Sequence, residues 1–419
     1  MDSGIYSDFI LAIALILLGG RIGGELTERY LKQPPVLGEL VVGIIISPFA
    51  LGGLIGNPII FNFAIIKGAY GISDFSPLRI VSEIAIIVLL FTAGVGTNFK
   101  YFIRNIPKGS VVALGGAIVP FAFCFLVAMG VVSEGGIISW LFIGAAFTAT
   151  SIGITVRVLM DLGRMHTKSA TLILVAAVID DIIGIIILSS VLSMSRTGYF
   201  NVINTVRIML SGFGAWIFLM FVGARWGNYV STIILKPFRK SGTTPIVALI
   251  IGLLFSYLST LVDLHPAVGA YLAGLIFAAT VEKEDIMEKV EPIMRFLSPF
   301  FFVFLGMQVD ILLVFDGVVL IIILLIVATL GKFIGCYIPA RFIGKLSHKG
   351  GMVVGIGMAP RGEICMIIIG AGLLTGAITR EIFSVVLAVN IITILTTPIM
   401  LKYVIKKLPS PSTPTPVTH

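Results

Sequence analysis

The sequence predicts an all-α polytopic membrane protein of about thirteen spanning helices. Three observations predict it. Hydrophobic residues make up 58% of the 419-residue chain, and the mean hydropathy is +1.10. Charged residues are only 12%, against about 25% in an ordinary soluble domain. The Lys and Arg fall in short loops between apolar runs. A soluble fold of this length has no interior for so much apolar surface, whereas a bilayer accommodates it. The net charge of +8 is placed as cytoplasmic loops require and does not form a nucleic-acid surface.

The apolar runs lie at 8–26, 36–54, 79–98, 109–132, 137–160, 168–194, 203–222, 244–262, 266–281, 293–313, 317–341, 351–376 and 381–404, with ends set to about 2–4 residues. The first lacks the basic flank and cleavage site of a signal peptide and is read as a retained helix. Loop charges alternate along the chain. One set of loops carries Arg29 and Lys32, then Lys100, Arg104 and Lys108, then Arg164 and Lys168, and so on to Lys402, Lys406 and Lys407. The other set carries mainly Lys67, Arg196, Arg207 and Arg380. The positive-inside rule places the first set in the cytoplasm, so the chain is expected to be a multi-pass cell-membrane protein with its N-terminus outside and its C-terminus inside. An odd helix at 203–222 between two equal sets inverts the second set relative to the first, as in inverted-repeat transporters. Residues 1–405 are read as one membrane domain and 406–419 as a short cytoplasmic tail.

Asp180 and Asp181 sit at the middle of the sixth run, in VAAVIDDIIGIIIL. An Asp at the centre of a spanning helix costs about 2.5–3.5 kcal/mol. Such residues mark an ion pathway or hydrogen-bond a neighbouring helix. Adjacent positions point about 100° apart on a helix, so one carboxylate can face a cavity while the other meets a partner. Lys332, deep in the eleventh run, is the obvious cation for one of them; the alternative is that it snorkels to the interface.

The fifth run holds GAAFTATSIGITVRVL. Thr148, Thr150 and Ser151 suggest a broken helix whose carbonyls and hydroxyls can ligate Na⁺, a hard cation that takes oxygen ligands; ordinary Ser/Thr helix packing is the alternative. The twelfth run holds GIGMAPRGEICMIIIGAG. Arg361 and Glu363 there require partners or broken-helix ends, and a structural and electrostatic role is favoured over direct ligation. Glu39 either lines an entrance or serves packing. Asp263 and His265 are read as solvated loop residues. EKEDIMEKVEP at 282–292 reads as a charged loop leading into a helix, with pH sensing as a second reading.

These motifs resemble those of monovalent cation:proton antiporters of the second group, most closely the bacterial and archaeal NapA/GerN-type Na⁺/H⁺ antiporters. The resemblance runs nearly end to end, through PPVLGELVVGIIISP, LLFTAGVGTNF, FTATSIGITVRVLMDLGR, VIDDIIGIII, LHPAVGAYLAGLIF, PFFFVFLGMQVD and MAPRGE. It implies an NhaA-like antiporter fold with inverted repeats and two crossing broken helices, assembled as a homodimer. Core helices in 109–194 and 317–404 would move against dimerisation helices in 1–98 and 244–313, with 203–222 as the linker. By the resemblance Asp181 is the ion-binding aspartate and Asp180 pairs with Lys332. Thr150 and Ser151 match the first crossing, and Met358 to Glu363 the second. The Asp-Asp pair looks like the electrogenic branch.

A carboxyl group taken out of water favours its neutral form. It can therefore hold a proton when no cation is present, and Na⁺ and H⁺ compete for one group. No GxxxxGK[ST] occurs, so the energy is expected to come from an ion gradient. The expectation is a non-enzymatic secondary antiporter with no cofactor, transporting H⁺ and Na⁺, Li⁺ or K⁺ within membrane lipid and binding no nucleic acid. Its rivals are a K⁺/H⁺ antiporter, a Na⁺-coupled solute symporter, a non-transporting cation sensor and an intramembrane aspartyl protease. The last needs its two Asp on separate helices.

Overall fold

The computed structural model describes residues 3–47, 50, 77–97, 99–132, 135–197, 242–261, 266–278, 280–307 and 317–406, with isolated positions between 203 and 214. Every expected segment has a helical counterpart there except 203–222, which lies mostly outside the described residues, as do Asp263 and His265. The helices are α1 (Ser3–Arg29), α2 (Pro35–Ile45), α3 (Pro77–Val95), α4 (Phe99–Arg104), α5 (Ile106–Val131), α6 (Gly136–Ala146), α7 (Ile152–Asp161) and α8 (Lys168–Thr197). They continue as α9 (Thr244–Thr260), α10 (Pro266–Phe277), α11 (Lys283–Met307), α12 (Val318–Phe342), α13 (His348–Gly357), α14 (Glu363–Leu374) and α15 (Arg380–Lys406). Among the described residues, seven helices are individually long and apolar enough to cross a membrane. No strand occurs among them.

Local chemistry sets the ends. Pro opens the first turn of α2, α5 and α9, where its missing N–H costs nothing. The Ser347 hydroxyl caps α13 by accepting from Gly350 N at 3.1 Å. α2, in the second expected segment 36–54, ends at Ile45, shortly before Pro48, which disfavours helix in the residue preceding it; residues 48–49 and 51–54 lie outside the described residues. The tenth starts earlier than expected. The cluster at 282–292 is the opening of α11, not a loop. Glu284 and Asp285 occupy its first turn, where the helix dipole favours them. Asp285–Lys289 and Glu291–Arg295 pair at 2.8 and 2.6 Å with i,i+4 spacing, the register in which opposite charges support a helix.

Packing sorts the helices into two groups. α1, α2, α3, α9, α10 and α11 pack among themselves, and α5, α6, α8 and α12–α15 form the other group. α7 touches both, with α2 and α3 on one side and α8 and α15 on the other, and α15 also meets α2. In the second group α5, the α6–α7 pair and α8 are followed later by α12, the α13–α14 pair and α15: helix, interrupted helix, helix, twice. α5 and α12 lie against each other and run antiparallel, since Gly115 meets Gly335 while Pro120 meets Gly331. That is the relation an inverted repeat imposes.

The Gly115–Gly335 crossing allows no side chain. A Cβ on either would sit 2.2 Å from the other's carbonyl oxygen. Small residues let membrane helices approach to backbone contact. Gly335→Ala is therefore expected to cost about 1–3 kcal/mol through overpacking against a rigid backbone, read as a lower melting temperature in detergent. An unchanged melting temperature would mean that the two helices lie further apart than this.

Candidate functional site

Each broken helix leaves backbone groups that a membrane interior cannot hydrate. The first break spans 147–151, between α6 and α7, and the second spans 358–362, between α13 and α14. The two satisfy each other. Ser151 N–H donates to Pro360 O at 2.9 Å, and the Thr155 hydroxyl donates to Gly357 O at 2.6 Å. The breaks therefore cross, and α8 passes beside them with Asp180 and Asp181 near its middle.

The two carboxylates have different surroundings. Asp180 is buried. Lys332, on α12, donates to its Oδ2 at 2.9 Å and its Oδ1 at 3.1 Å. Both side chains are fully shielded, which excludes snorkelling of Lys332. The Thr150 hydroxyl lies 2.7 Å from Asp180 Oδ2 and 3.1 Å from Met358 O, one donor between two acceptors. Asp181 points elsewhere. It helps line a cavity of ≈ 30 Å³ together with Thr150 and Gly153 at the first break, Leu90 of α3, and Val268 and Tyr271 of α10. That space holds about two water-sized particles. The cavity thus sits where the two helix groups meet. Ser151 Oγ is buried beside it in sequence and has no hydrogen-bond partner among the described residues.

Positive charge converges on the first break. Arg361 is wholly buried. Its Nη1 lies 3.3 Å from both Thr148 O and Ala149 O, and its Nη2 lies 3.1 Å from Ala328 O. Lys332 Nζ also donates to Thr148 O. These cations face the C-terminal end of α6, where the helix dipole is negative. Thr148 is thus committed: its carbonyl accepts from Lys332 and Arg361, and its hydroxyl donates to Ala145 O at 2.7 Å. Glu363 begins α14; its side chain lies outside the described residues. No group of three or more His, Cys, Asp or Glu that could hold a metal occurs among the described residues. Any cation here would use mixed carboxylate, hydroxyl and carbonyl oxygens, which suits a hard monovalent ion.

A family described as "Sodium/hydrogen exchanger, transmembrane" matches residues 12–407. The chain belongs to the sodium/hydrogen exchanger family. Within it, the chain is 34% identical to the Na⁺/H⁺-K⁺ antiporter GerN of Bacillus cereus, over 94% of this chain and 96% of GerN. It is 31% identical to the high-affinity Na⁺/H⁺ antiporter NhaS3 of Synechocystis, over 98% of this chain and 94% of NhaS3. Its fold is similar to that of the sodium proton antiporter MjNhaP1 from Methanocaldococcus jannaschii, with a TM-score of 0.70 at 17% identity, covering 99% of this chain and 100% of that one. The expected family and all-helical antiporter fold are both met. A sodium/hydrogen exchanger is a transporter, so the members named here place the chain among antiporters rather than proteases.

Sequence reading missed one member of the buried charge system. Arg157, on α7, is buried and contacts Glu39, whose role the sequence left open. The signal was present: a lone basic residue inside the apolar run ITVRVL is costly in a membrane unless paired.

Proposed function

We propose that this chain exchanges Na⁺ for H⁺ across the membrane and that Asp181 carries either ion. The observation that carries the reading is the division of labour between adjacent carboxylates. Asp180 is held by Lys332 and Thr150, while Asp181 borders a small cavity at the boundary of the two helix groups. Thr150 borders the same cavity and hydrogen-bonds Asp180 behind it, and Ser151 follows Thr150 in the break; these are the oxygens this reading assigns to Na⁺ beside Asp181. A deprotonated carboxylate beside them suits Na⁺; a protonated one leaves the site neutral. Because one group serves both ions, loading by one expels the other.

In this reading α5–α8 and α12–α15 form the moving core, and α1–α3 with α9–α11 form the panel it moves against. The packing groups and the placement of the cavity between them support that. The resemblance further implies that two panels join in a homodimer, and the alternating loop charge supports a cytoplasmic C-terminus. The residues of 203–222 would link the two repeats. If the core switches sides only when loaded, competition at Asp181 becomes coupled exchange.

Purified protein in liposomes is expected to collapse an imposed pH gradient on addition of Na⁺, with no organic solute present. Li⁺ and K⁺ tested in turn give the selectivity; K⁺ belongs in the series because GerN carries it in its name. The apparent KM for Na⁺ should rise as pH falls through the titration of the shared carboxyl and level off above it, where the carboxylate is already deprotonated. A KM flat across the active range, with only the maximal rate changing, would place the proton on another group. Binding of Na⁺ without any change in the pH gradient would identify a sensor.

A further inference from the structure

We propose that Arg157 is a positioning residue for transport: it clasps the core to the panel and closes the Asp181 cavity on the side where α7 ends. All three guanidinium nitrogens are engaged. Nε lies 3.0 and 3.1 Å from the two oxygens of Asp161, one helical turn along α7. This intrahelical pair orients the side chain. It aims the remaining nitrogens across the boundary, where Nη1 donates to the Ser298 hydroxyl of α11 and Nη2 meets Glu39 Oε1 of α2 at 3.4 Å. Both Arg157 and Glu39 are more than nine-tenths buried, and Glu39 Oε2 has no hydrogen-bond partner among the described residues.

The clasp lies below the cavity along one direction. From Gly153 to Arg157, α7 advances while its α11 partners retreat from Phe301 to Ser298, so α7 and α11 are antiparallel. α11 begins just after α10 ends, so α10, crossing in the opposite direction to α11, has the same sense as α7. The cavity is bordered by Val268, near the start of α10, and Gly153, at the start of α7. Arg157 is one turn further on. This contact therefore stands between the Asp181 cavity and the end of α7. Gly153 reinforces the seal: a Cβ there would stand 2.7 Å from the Ile86 side chain of the panel. A buried charge is costly once its partner is removed, so core and panel cannot separate here without rehousing both charges. The loose 3.4 Å contact and the Glu39 oxygen left without a partner among the described residues indicate a clasp that holds this arrangement without locking it.

This inference rests on the core moving against the panel, and its test reads sidedness without needing Na⁺. Val268→Cys provides a reporter on the cavity wall, which none of the native Cys124, Cys336 and Cys365 lines. Labelling by a membrane-impermeant maleimide is measured on right-side-out and inside-out vesicles carrying the full chain. Glu39→Gln is expected to raise labelling from the far side about fivefold or more and to lower it from the near side, as a shift between two states requires. Glu39→Gln with Arg157→Gln together should shift it no further than Arg157→Gln alone, because that substitution already removes the contact to Glu39. If Arg157→Gln does not fold, Ser298→Ala is measured by itself and is expected to shift labelling in the same direction, because it removes the guanidinium's other contact across the boundary. Unchanged labelling from both sides, a rise on both sides alike, or additive effects would each overturn the clasp. Failure of Na⁺ to collapse a pH gradient while the reciprocal shift persists would instead overturn the ion assignment.

Discussion

Asp181→Asn is expected to reduce Na⁺/H⁺ exchange to the level of protein-free liposomes while leaving a folded protein. Asn is a near-isostere of Asp, and Asp181 borders a cavity instead of sitting within the Lys332 pair, so little packing changes. What changes is chemistry: the amide neither takes up a proton near neutral pH nor offers a charged oxygen to Na⁺. Both halves of the exchange fail together. The neighbouring substitution Asp180→Asn serves as the contrast. It strips the charge partner from a fully buried Lys332, so it should lower stability as well as activity. Exchange retained at a comparable rate in folded Asp181→Asn would refute the assignment.

The second large effect concerns Lys332. Its ammonium reaches Asp180 beside Gly116, where a Cβ would come within 3.5 Å of Nζ. Lys332→Gln leaves a buried carboxylate with Thr150 as its remaining side-chain donor among those described. Removing one partner of a buried pair costs about 3–5 kcal/mol, so a marked drop in melting temperature is expected. The transport expectation is sharper. If Lys332 releases Asp180 and carries a proton on the return step, two protons move for each Na⁺. One net charge then crosses, worth about 2.3 kcal/mol per 100 mV. Exchange by the unaltered protein should accelerate or slow with the sign of an imposed potential, and Lys332→Gln should abolish that response in whatever protein remains folded. Insensitivity of the unaltered protein to a valinomycin-clamped potential would rule out the electrogenic cycle.

Much of this was legible in the residues. Apolar runs of membrane-spanning length, interrupted twice by polar residues, predict helices and two breaks, because a bilayer admits little other than self-satisfied helical backbone. Carboxylates and a lysine at mid-membrane depth predict a site, because charge there is too costly to keep without use. By itself the sequence therefore determined the spanning helices, the places where they break, and Asp180, Asp181 and Lys332 as the groups to explain. Only the tertiary structure decided who meets whom. Whether Asp180 or Asp181 takes the lysine depends on where α12 crosses α8, and those helices are some 150 residues apart in the chain. The pairing of Ser151 with Pro360 and the distance from Arg157 to Glu39 are of the same kind. Periodicity and composition act over a few turns of one helix, whereas the charges that close this site meet through the packing of helices distant in sequence.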